Sequence, residues 1–100
     1  MKPTSHVAVV RLHASLRELA GERDIEVALP DGAVVRDILN RLGELRPILA
    51  ERLLDEDGNI PPSVNVFVNG RDIRDLGGLD TPVTPDDEVT ILPPAAGGRA

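Results

Sequence analysis

The end of the chain constrains the fold most, because a strand there must stop abruptly. Residues 89–92 (Val-Thr-Ile-Leu) are β-branched or apolar, which is typical of a buried strand. Two prolines follow at once, and since proline has no backbone N–H to donate, strand pairing cannot continue through them. After the prolines come small residues and a pair of glycines. The sequence therefore predicts a folded domain over residues 1–92 and a flexible tail over residues 93–100.

The predicted tail has the composition of a segment that another molecule holds. Its prolines favour the extended polyproline II conformation, so part of the ordering entropy is lost before any partner binds. Gly97 and Gly98 let the backbone pass where a side chain would clash. From Pro93 to Gly98 such a segment can reach about 20 Å from the domain. The alternative for the tail taken alone is an ordinary disordered terminus.

Charge and residue types exclude several functions. The formal net charge is −6 and Phe67 is the single aromatic residue, whereas nucleic-acid binding needs a basic face and aromatic rings for stacking. The absence of cysteine excludes disulfides, thiolate catalysis and cysteine metal clusters. An acidic body suits a partner with a basic docking surface. No apolar run has the length of a membrane span or a signal peptide, so we expect a cytoplasmic protein.

Hydrophobic periodicity predicts one α+β domain with the order strand, strand, helix, helix, strand, short strand, strand. The predicted strands cover residues 6–12, 25–29, 64–69, 71–74 and 89–92; a helical turn is expected at 15–20, the main helix at 34–43, and a short second helix from Pro47. Apolar residues on both faces of the first strand indicate a central position. The helical connection lets the last strand lie parallel to the first in mid-sheet. This is a β-grasp arrangement, with one face of the sheet covered by the helix and the other open.

Two local details of these elements can be predicted. Val34 cannot act as an N-cap, so we expect Asp31 or a frayed turn to satisfy the first N–H groups of the main helix. Asn69-Gly70 is a dipeptide typical of tight hairpin turns, so it predicts that the chain folds back there with positive φ.

Five stretches of the chain together resemble the ubiquitin-like sulfur carriers. They are Val9-Val10-Arg11-Leu12, Pro30-Asp31-Gly32, Val66-Phe67-Val68-Asn69-Gly70, the run from Asp87 to Pro93, and the diglycine Gly97-Gly98. That family includes the small subunit of molybdopterin synthase, the thiamine sulfur carrier and the sulfur carrier of a cysteine-synthesis pathway. The helical insert from Leu45 to Asp57 makes the chain more similar to the molybdopterin and cysteine-pathway carriers than to the shorter thiamine carrier, and the stretch from residue 63 to 98 most resembles the cysteine-pathway carrier.

The resemblance implies chemistry at one backbone carboxylate. In the family, an adenylating enzyme of the ubiquitin-activating type uses ATP and magnesium to adenylate the terminal glycine, and sulfur then displaces AMP to leave a thiocarboxylate. Here that glycine is Gly98, and the sulfur would pass to an accepting synthase. The resemblance makes cysteine synthesis the first choice of pathway, molybdopterin synthesis the second, and thiolation of another metabolite or of tRNA the third. The protein is then a cosubstrate with no bound cofactor, and not an enzyme. Since the chain has no cysteine, its backbone terminus is the only position that could carry sulfur.

The last two residues depart from the family pattern. Arg99-Ala100 follow the diglycine, so Gly98 as encoded has a peptide carbonyl and cannot be adenylated. Some relatives are similarly extended and rely on a zinc-dependent protease, which implies cleavage between Gly98 and Arg99. The alternatives are an artefactual extension or a retired carrier.

A partner-docking patch is predicted on the open face of the sheet. Phe67 points away from the valines of its strand, and with Leu92 it could contact the activating enzyme and the acceptor. Pro93, Ala96 and Gly97 are the expected tail-recognition residues. The alternative for Phe67 is a partly covered sheet residue with no binding role.

No metal site or catalytic group is expected elsewhere. His6 and His13 are predicted on one strand without a converging third ligand. The acidic turn at residues 55–59 lacks the spacing and bidentate glutamate of a calcium loop, and residues 86–88 read as a solvated turn. No nucleophile, base and orienting residue occur together.

Two other functions remain open from the sequence. The protein could be a ubiquitin-like modifier conjugated through Gly98 to target lysines, and with Lys2 as its single lysine it could scarcely form chains on itself. It could also be a non-catalytic β-grasp interaction module with a disordered tail.

Overall fold

The computed structural model describes residues 6–62 and 64–92. Its elements are β1 (His6–Leu12), α1 (Ala14–Ala20), β2 (Asp24–Leu29), α2 (Val35–Leu45), α3 (Pro47–Leu53), β3 (Asn65–Val68), β4 (Arg71–Asp72) and β5 (Glu88–Leu92), with 3₁₀ turns at Ile73–Asp75 and Gly78–Asp80. The predicted boundary after residue 92 and the tail lie outside the described residues. None of the described helices is long and apolar enough to cross a membrane.

The five strands form one mixed sheet in the order β2-β1-β5-β3-β4. β1 pairs antiparallel with β2 and parallel with β5, where Val10 lies opposite Val89. β5 pairs antiparallel with β3 on its other side. The predicted β-grasp arrangement is therefore confirmed, including the parallel pair of first and last strands in mid-sheet.

The core lies between one face of the sheet and the helices. Alternation decides which strand residues enter it: Ile25, Val27 and Leu29 of β2 are buried, as predicted, and so are Val64, Val66 and Val68 in and beside β3. The helices contribute Leu16, Val35, Ile38, Leu39, Leu42, Leu49 and Leu53. None of the described helices covers the opposite face of the sheet.

β1 is central, as predicted, although its second face is open. Ala8, Val10 and Leu12 are fully buried, whereas Val7 and Val9 on the other face are 39% and 41% exposed. Apolar residues on both faces thus predicted the position of the strand correctly, and the exposure of Val7 and Val9 agrees with the open face predicted for the sheet.

The main helix α2 extends past its predicted end at Gly43 to Leu45. A Cβ added to Gly43 would lie 3.2 Å from the Cβ of Ala50 on α3. Gly43 therefore allows two helices to approach closely, and it does not terminate α2. The short helix begins with Pro47 in its first turn, as predicted.

The start of α2 is satisfied differently from the prediction. The N–H of Val34 donates to the carboxylate of Asp37 at 2.9 Å. The N–H of Val35 donates to the carbonyl of Thr81 at 3.0 Å. The carboxylate of Asp37 inside the helix and the carbonyl of Thr81 in a distant loop therefore accept hydrogen bonds from this end of α2. The sequence had predicted Asp31 or a frayed turn for this role.

The predicted turn after β3 is confirmed, but the return strand is shorter than predicted. Asn69 and Gly70 have φ of 53° and 82°. Pairing ends at Asp72, whose carboxylate accepts a hydrogen bond from the Arg74 N–H at 2.8 Å. Ile73 is buried at 2% exposure, so the chain turns there into a 3₁₀ conformation where residues 71–74 were predicted as strand.

Candidate partner-docking face and tail exit

β5 carries the chain to the point where the tail begins. Strands pair with it on both sides, and Leu92 at its end still lies opposite Asn65 of β3. On the β1 side, the N–H of His13 donates to the carbonyl of Ile91 at 3.3 Å. The last described residue is thus positioned by strand pairing, which orients a chain end more reproducibly than a loop does.

Phe67 and Leu92 lie on the same open face, as the sequence predicted. Phe67 lies opposite Thr90 and Leu92 lies opposite Asn65, which makes them diagonal cross-strand neighbours at a typical separation of about 7 Å. Both are half-buried. We call Phe67, Thr90 and Leu92 the docking patch. The structure brings its two apolar members together, while their role in docking stays a prediction.

Arg74 borders the docking patch, although no sequence pattern indicated it. Its guanidinium donates to the side-chain carbonyl of Asn65 at 2.9 Å and to the backbone carbonyl of Val64 at 3.2 Å. Asn65 lies opposite Leu92, so a positive charge lies near the tail exit. Arg74 belongs to a 3₁₀ turn, and no sequence spacing indicates that such a turn reaches back to β3.

Arg11 forms the other border of the docking patch. Its Nε lies 3.1 Å from Asp24 Oδ1 on β2, and its Nη1 lies 3.4 Å from Glu88 Oε2 on β5. The hydrogen bond from Arg11 lowers the pKa of the Asp24 carboxyl, and the same contact raises the pKa of Arg11. We call Asp24, Arg11 and Glu88 the Arg11 row. It crosses three strands and separates the docking patch from the exposed Val7 and Val9.

A polar cluster holds the other end of β5. Asn69 donates from Nδ2 to Asp87 Oδ1 at 2.8 Å, and its Oδ1 accepts from the Glu88 N–H at 2.9 Å. The second oxygen of Asp87 accepts from the Thr84 N–H at 2.8 Å. Hydrogen bonds from Thr84 and Asn69 lower the pKa of Asp87. The sequence reading of residues 86–88 as a merely solvated turn missed this structural role of Asp87.

Within residues 6–62 and 64–92, no group of three His, Asp or Glu side chains could hold a metal ion. Asp55 Oδ1 accepts from the N–H groups of Asp57 and Asn59 at 2.9 and 3.0 Å, so that carboxylate closes its own turn. His13 lies at the start of α1, one residue beyond β1. The prediction that His6 and His13 share one strand is wrong, because β1 ends at Leu12.

The residues predicted to carry the chemistry lie outside the described range. They are Pro93, Ala96, Gly97, Gly98 and Arg99. Of the predicted site, the structure therefore describes the docking patch and the strand that leads to the tail.

The sheet order, the main helix on one face and the central last strand define the ubiquitin-like β-grasp class. Comparison with known families is more specific. The chain belongs to the ThiS family, whose family model matches residues 10–98. The family includes sulfur carriers and ubiquitin-like modifiers, so the resemblance found in the sequence is confirmed.

Individual relatives have names of both kinds. The chain is 40% identical over 89 residues to small archaeal modifier protein 3 of Haloferax volcanii, and the alignment covers 89% of this chain and 96% of that protein. It is 43% identical over 70 residues to the sulfur carrier protein CysO of Mycobacterium tuberculosis, covering 67% of this chain and 70% of that protein. A chain of the crystal structure of the Amycolatopsis orientalis BexX/CysO complex superposes with a TM-score of 0.77 at 34% identity, covering 91% of this chain and 99% of that one.

Proposed function

We propose that this protein is a sulfur carrier that is adenylated and then thiocarboxylated at Gly98 and delivers the sulfur to a biosynthetic enzyme. In the first step a carboxylate oxygen of Gly98 attacks the α-phosphorus of ATP and pyrophosphate leaves. In the second step a sulfur nucleophile attacks the acyl carbon, a C–S bond forms and AMP leaves. The protein is a cosubstrate in both steps, and the activating enzyme binds the ATP and magnesium.

The position of β5 is the observation that supports this role. β5 is paired with β1 up to Ile91 and with β3 up to Leu92, which lies opposite Asn65, and Gly98 lies six positions after Leu92 in the sequence. At about 3.3 Å per residue such a segment reaches about 20 Å into a partner's active site. The family match also extends to residue 98, through the diglycine.

The function requires that Arg99-Ala100 be removed first. A peptide carbonyl at Gly98 has no carboxylate oxygen to attack ATP, whereas cleavage after Gly98 creates one. A zinc-dependent protease of the kind used by extended relatives is the proposed processing partner. Arg99 would then be the first residue of the released dipeptide.

Two enzymes are the further proposed partners. An adenylating enzyme of the ubiquitin-activating type would contact the docking patch, where Phe67 and Leu92 offer apolar surface beside the tail exit, and would grip Pro93, Ala96 and Gly97. A sulfur-accepting synthase would use the same end of the domain. The BexX/CysO complex illustrates that a matched relative assembles with another protein.

Cysteine synthesis is the first choice of pathway and molybdopterin synthesis the second. The 43% identity to a protein named as the sulfur carrier CysO supports this order. Two separate assays distinguish the pathways. One measures sulfur transfer from the thiocarboxylated protein to a cysteine synthase, and the other measures transfer to a large molybdopterin synthase subunit.

The direct test uses a chain that ends at Gly98, mixed with the cognate activating enzyme, ATP, magnesium and a sulfide source. We expect the intact mass to rise by the difference between one sulfur and one oxygen atom. The full-length chain ending in Ala100 and a chain ending at Gly97 are matched controls that should gain nothing. A second carrier protein that the same activating enzyme adenylates serves as the positive control. If that control gains sulfur and the chain ending at Gly98 does not, the proposal is contradicted.

A second function is favoured by a different observation, the 40% identity to small archaeal modifier protein 3. As a modifier, the activated Gly98 would form an amide with a target lysine, with AMP leaving and the amine losing a proton. Incubation of the chain ending at Gly98 with activating enzyme and host lysate should then produce larger bands. Since Arg74 is the last basic residue before Gly98, trypsin would leave the segment from Asp75 to Gly98 on each target lysine. Detection of this branched peptide by mass spectrometry identifies conjugation, and thiocarboxylation alone leaves none.

A further inference from the structure

A second surface of the domain lies at the β2 edge of the sheet, at the opposite end of the strand order from β3 and β4. β2 is an edge strand, and within the described residues no strand pairs with its outer side. A free edge offers backbone N–H and C=O groups to an extended chain. β1 lies between β2 and β5, so this edge is separate from the docking patch.

A shallow cavity of about 570 Å³ accompanies this edge. We call it the edge groove; its lining includes Val9, Asp24, Ile25, Glu26, Leu45 and Arg46. Val9 and Leu45 are 41% and 37% exposed, which places both among the most exposed large apolar side chains of the described residues. Exposed apolar surface beside an unpaired strand is typical of a binding site for another chain.

The charges of the edge groove are mainly negative. Glu22, which also lines it, binds Arg46, with 2.6 Å between Oε2 and Nε. Asp24 forms ion pairs with both Arg11 and Arg23, whereas Glu26 forms no ion pair within the described part of the chain, so Glu26 is the acidic residue of the groove that is most available to a partner. Asp24 and Glu26 are two residues apart on β2, so their side chains point to the same, open face. The groove therefore complements a positive charge on that face.

The two faces of β2 present different chemistry to an added strand. On the open face its neighbours would be Asp24 and Glu26, and on the other face the nearby exposed group is Leu45 at the end of α2. Because side chains alternate between faces, a strand with alternating basic and apolar residues would satisfy both.

We propose that the edge groove binds an extended segment of a partner protein in which basic and apolar residues alternate, and that this segment pairs with β2 as a sixth strand. A second copy of this chain is a poor occupant, since two β2 edges would bring carboxylates of two chains of net charge −6 together. Since Arg11 on β1 lies between the two surfaces, the domain can hold this partner while the tail end remains accessible.

The test uses a synthetic peptide of alternating arginine and valine, blocked at both ends, added to the isotope-labelled domain. We expect backbone amide shifts to concentrate on Asp24–Leu29 and on Leu45 and Arg46, and hydrogen exchange of β2 to slow. A control peptide with the same composition arranged as a valine block and an arginine block retains the charge but not the alternation. Equal binding of the two peptides, or shifts spread over all acidic regions, would overturn the proposal.

Two variants and a matched control test the chemistry of the groove. Glu26→Arg should weaken peptide binding about tenfold, because it replaces an attractive cross-strand pair with a repulsive one. Glu51→Arg makes the same charge change at an exposed position on α3 and should alter binding by less than about twofold. Leu45→Asp should weaken binding while leaving the fold intact, since Leu45 is exposed. Equal effects of the two arginine variants would show that the peptide binds by unspecific charge attraction, and no binding by the wild-type domain would show that the edge charges only prevent strand pairing. Either result would overturn the proposal.

Discussion

Asn69 and Asp87 are joined by a hydrogen bond of 2.8 Å from Nδ2 to Oδ1, although they are 18 residues apart in the chain. Asn69 belongs to the turn after β3, and Asp87 immediately precedes β5. The same asparagine side chain accepts from the Glu88 N–H. One residue thus sets both the β3–β4 turn and the register of the strand that leads to the tail.

Asn69→Ala should destabilise the domain by about 2 kcal/mol, because it removes these side-chain hydrogen bonds and disfavours the positive φ. Asn69→Gly keeps the positive φ accessible and loses only the hydrogen bonds, so its cost should be about 1 kcal/mol. Urea denaturation of the two variants measures the difference. Equal stability of Asn69→Ala and the wild type would contradict a role for this cluster.

The pKa of Asp87 predicts how its contribution changes with pH. Because hydrogen bonds lower the folded-state pKa, the unfolded chain binds the proton more readily. The stabilisation is present above the unfolded value of about 3.9 and is lost as pH falls through the lower folded value. The stability advantage of the wild type over Asp87→Asn should therefore shrink progressively below about pH 4. Denaturation midpoints at several pH values check this, and a constant difference would be the contrary result.

Phe67→Glu should reduce adenylation of the chain ending at Gly98 by about tenfold or more, since it places a charge in the proposed apolar docking patch. Val9→Glu is the matched control, because Val9 lies on the same open face beyond the Arg11 row. It should leave the rate within about twofold of the wild type. Pyrophosphate release measures the rate, and circular dichroism verifies folding of both variants. Similar rates for the two variants would remove Phe67 from the site.

The close approach of α2 and α3 at Gly43 predicts sensitivity to side-chain size. Gly43→Leu should destabilise the domain by about 2 kcal/mol through overpacking against Ala50. Gly43→Ala should remain within about 1 kcal/mol of the wild type, because better helix propensity offsets the tight contact. Thermal and urea denaturation measure both. A stabilised Gly43→Leu variant would mean that the helices separate freely.

The sequence by itself determined the features that depend on local periodicity and on backbone chemistry. Alternating apolar residues predicted the buried faces of β2 and β3, because side chains of a strand alternate between its faces. Asn69-Gly70 predicted the turn through positive φ. That strand pairing stops at the prolines after Leu92 stays a prediction, because residues 93–100 lie outside the described residues.

Only the tertiary structure decided the features that depend on residues far apart in the chain. Gly43 reads as a helix stop until Ala50 of the neighbouring helix is placed against it. The contact of Asp87 with Asn69, and that of Arg74 with Asn65, arise because the sheet order places β3 beside β5 and the turn after β4 beside β3. The exposure of Val9 likewise follows from the helices packing on one face only. No local pattern encodes these relationships, because each depends on which surfaces the completed sheet brings together.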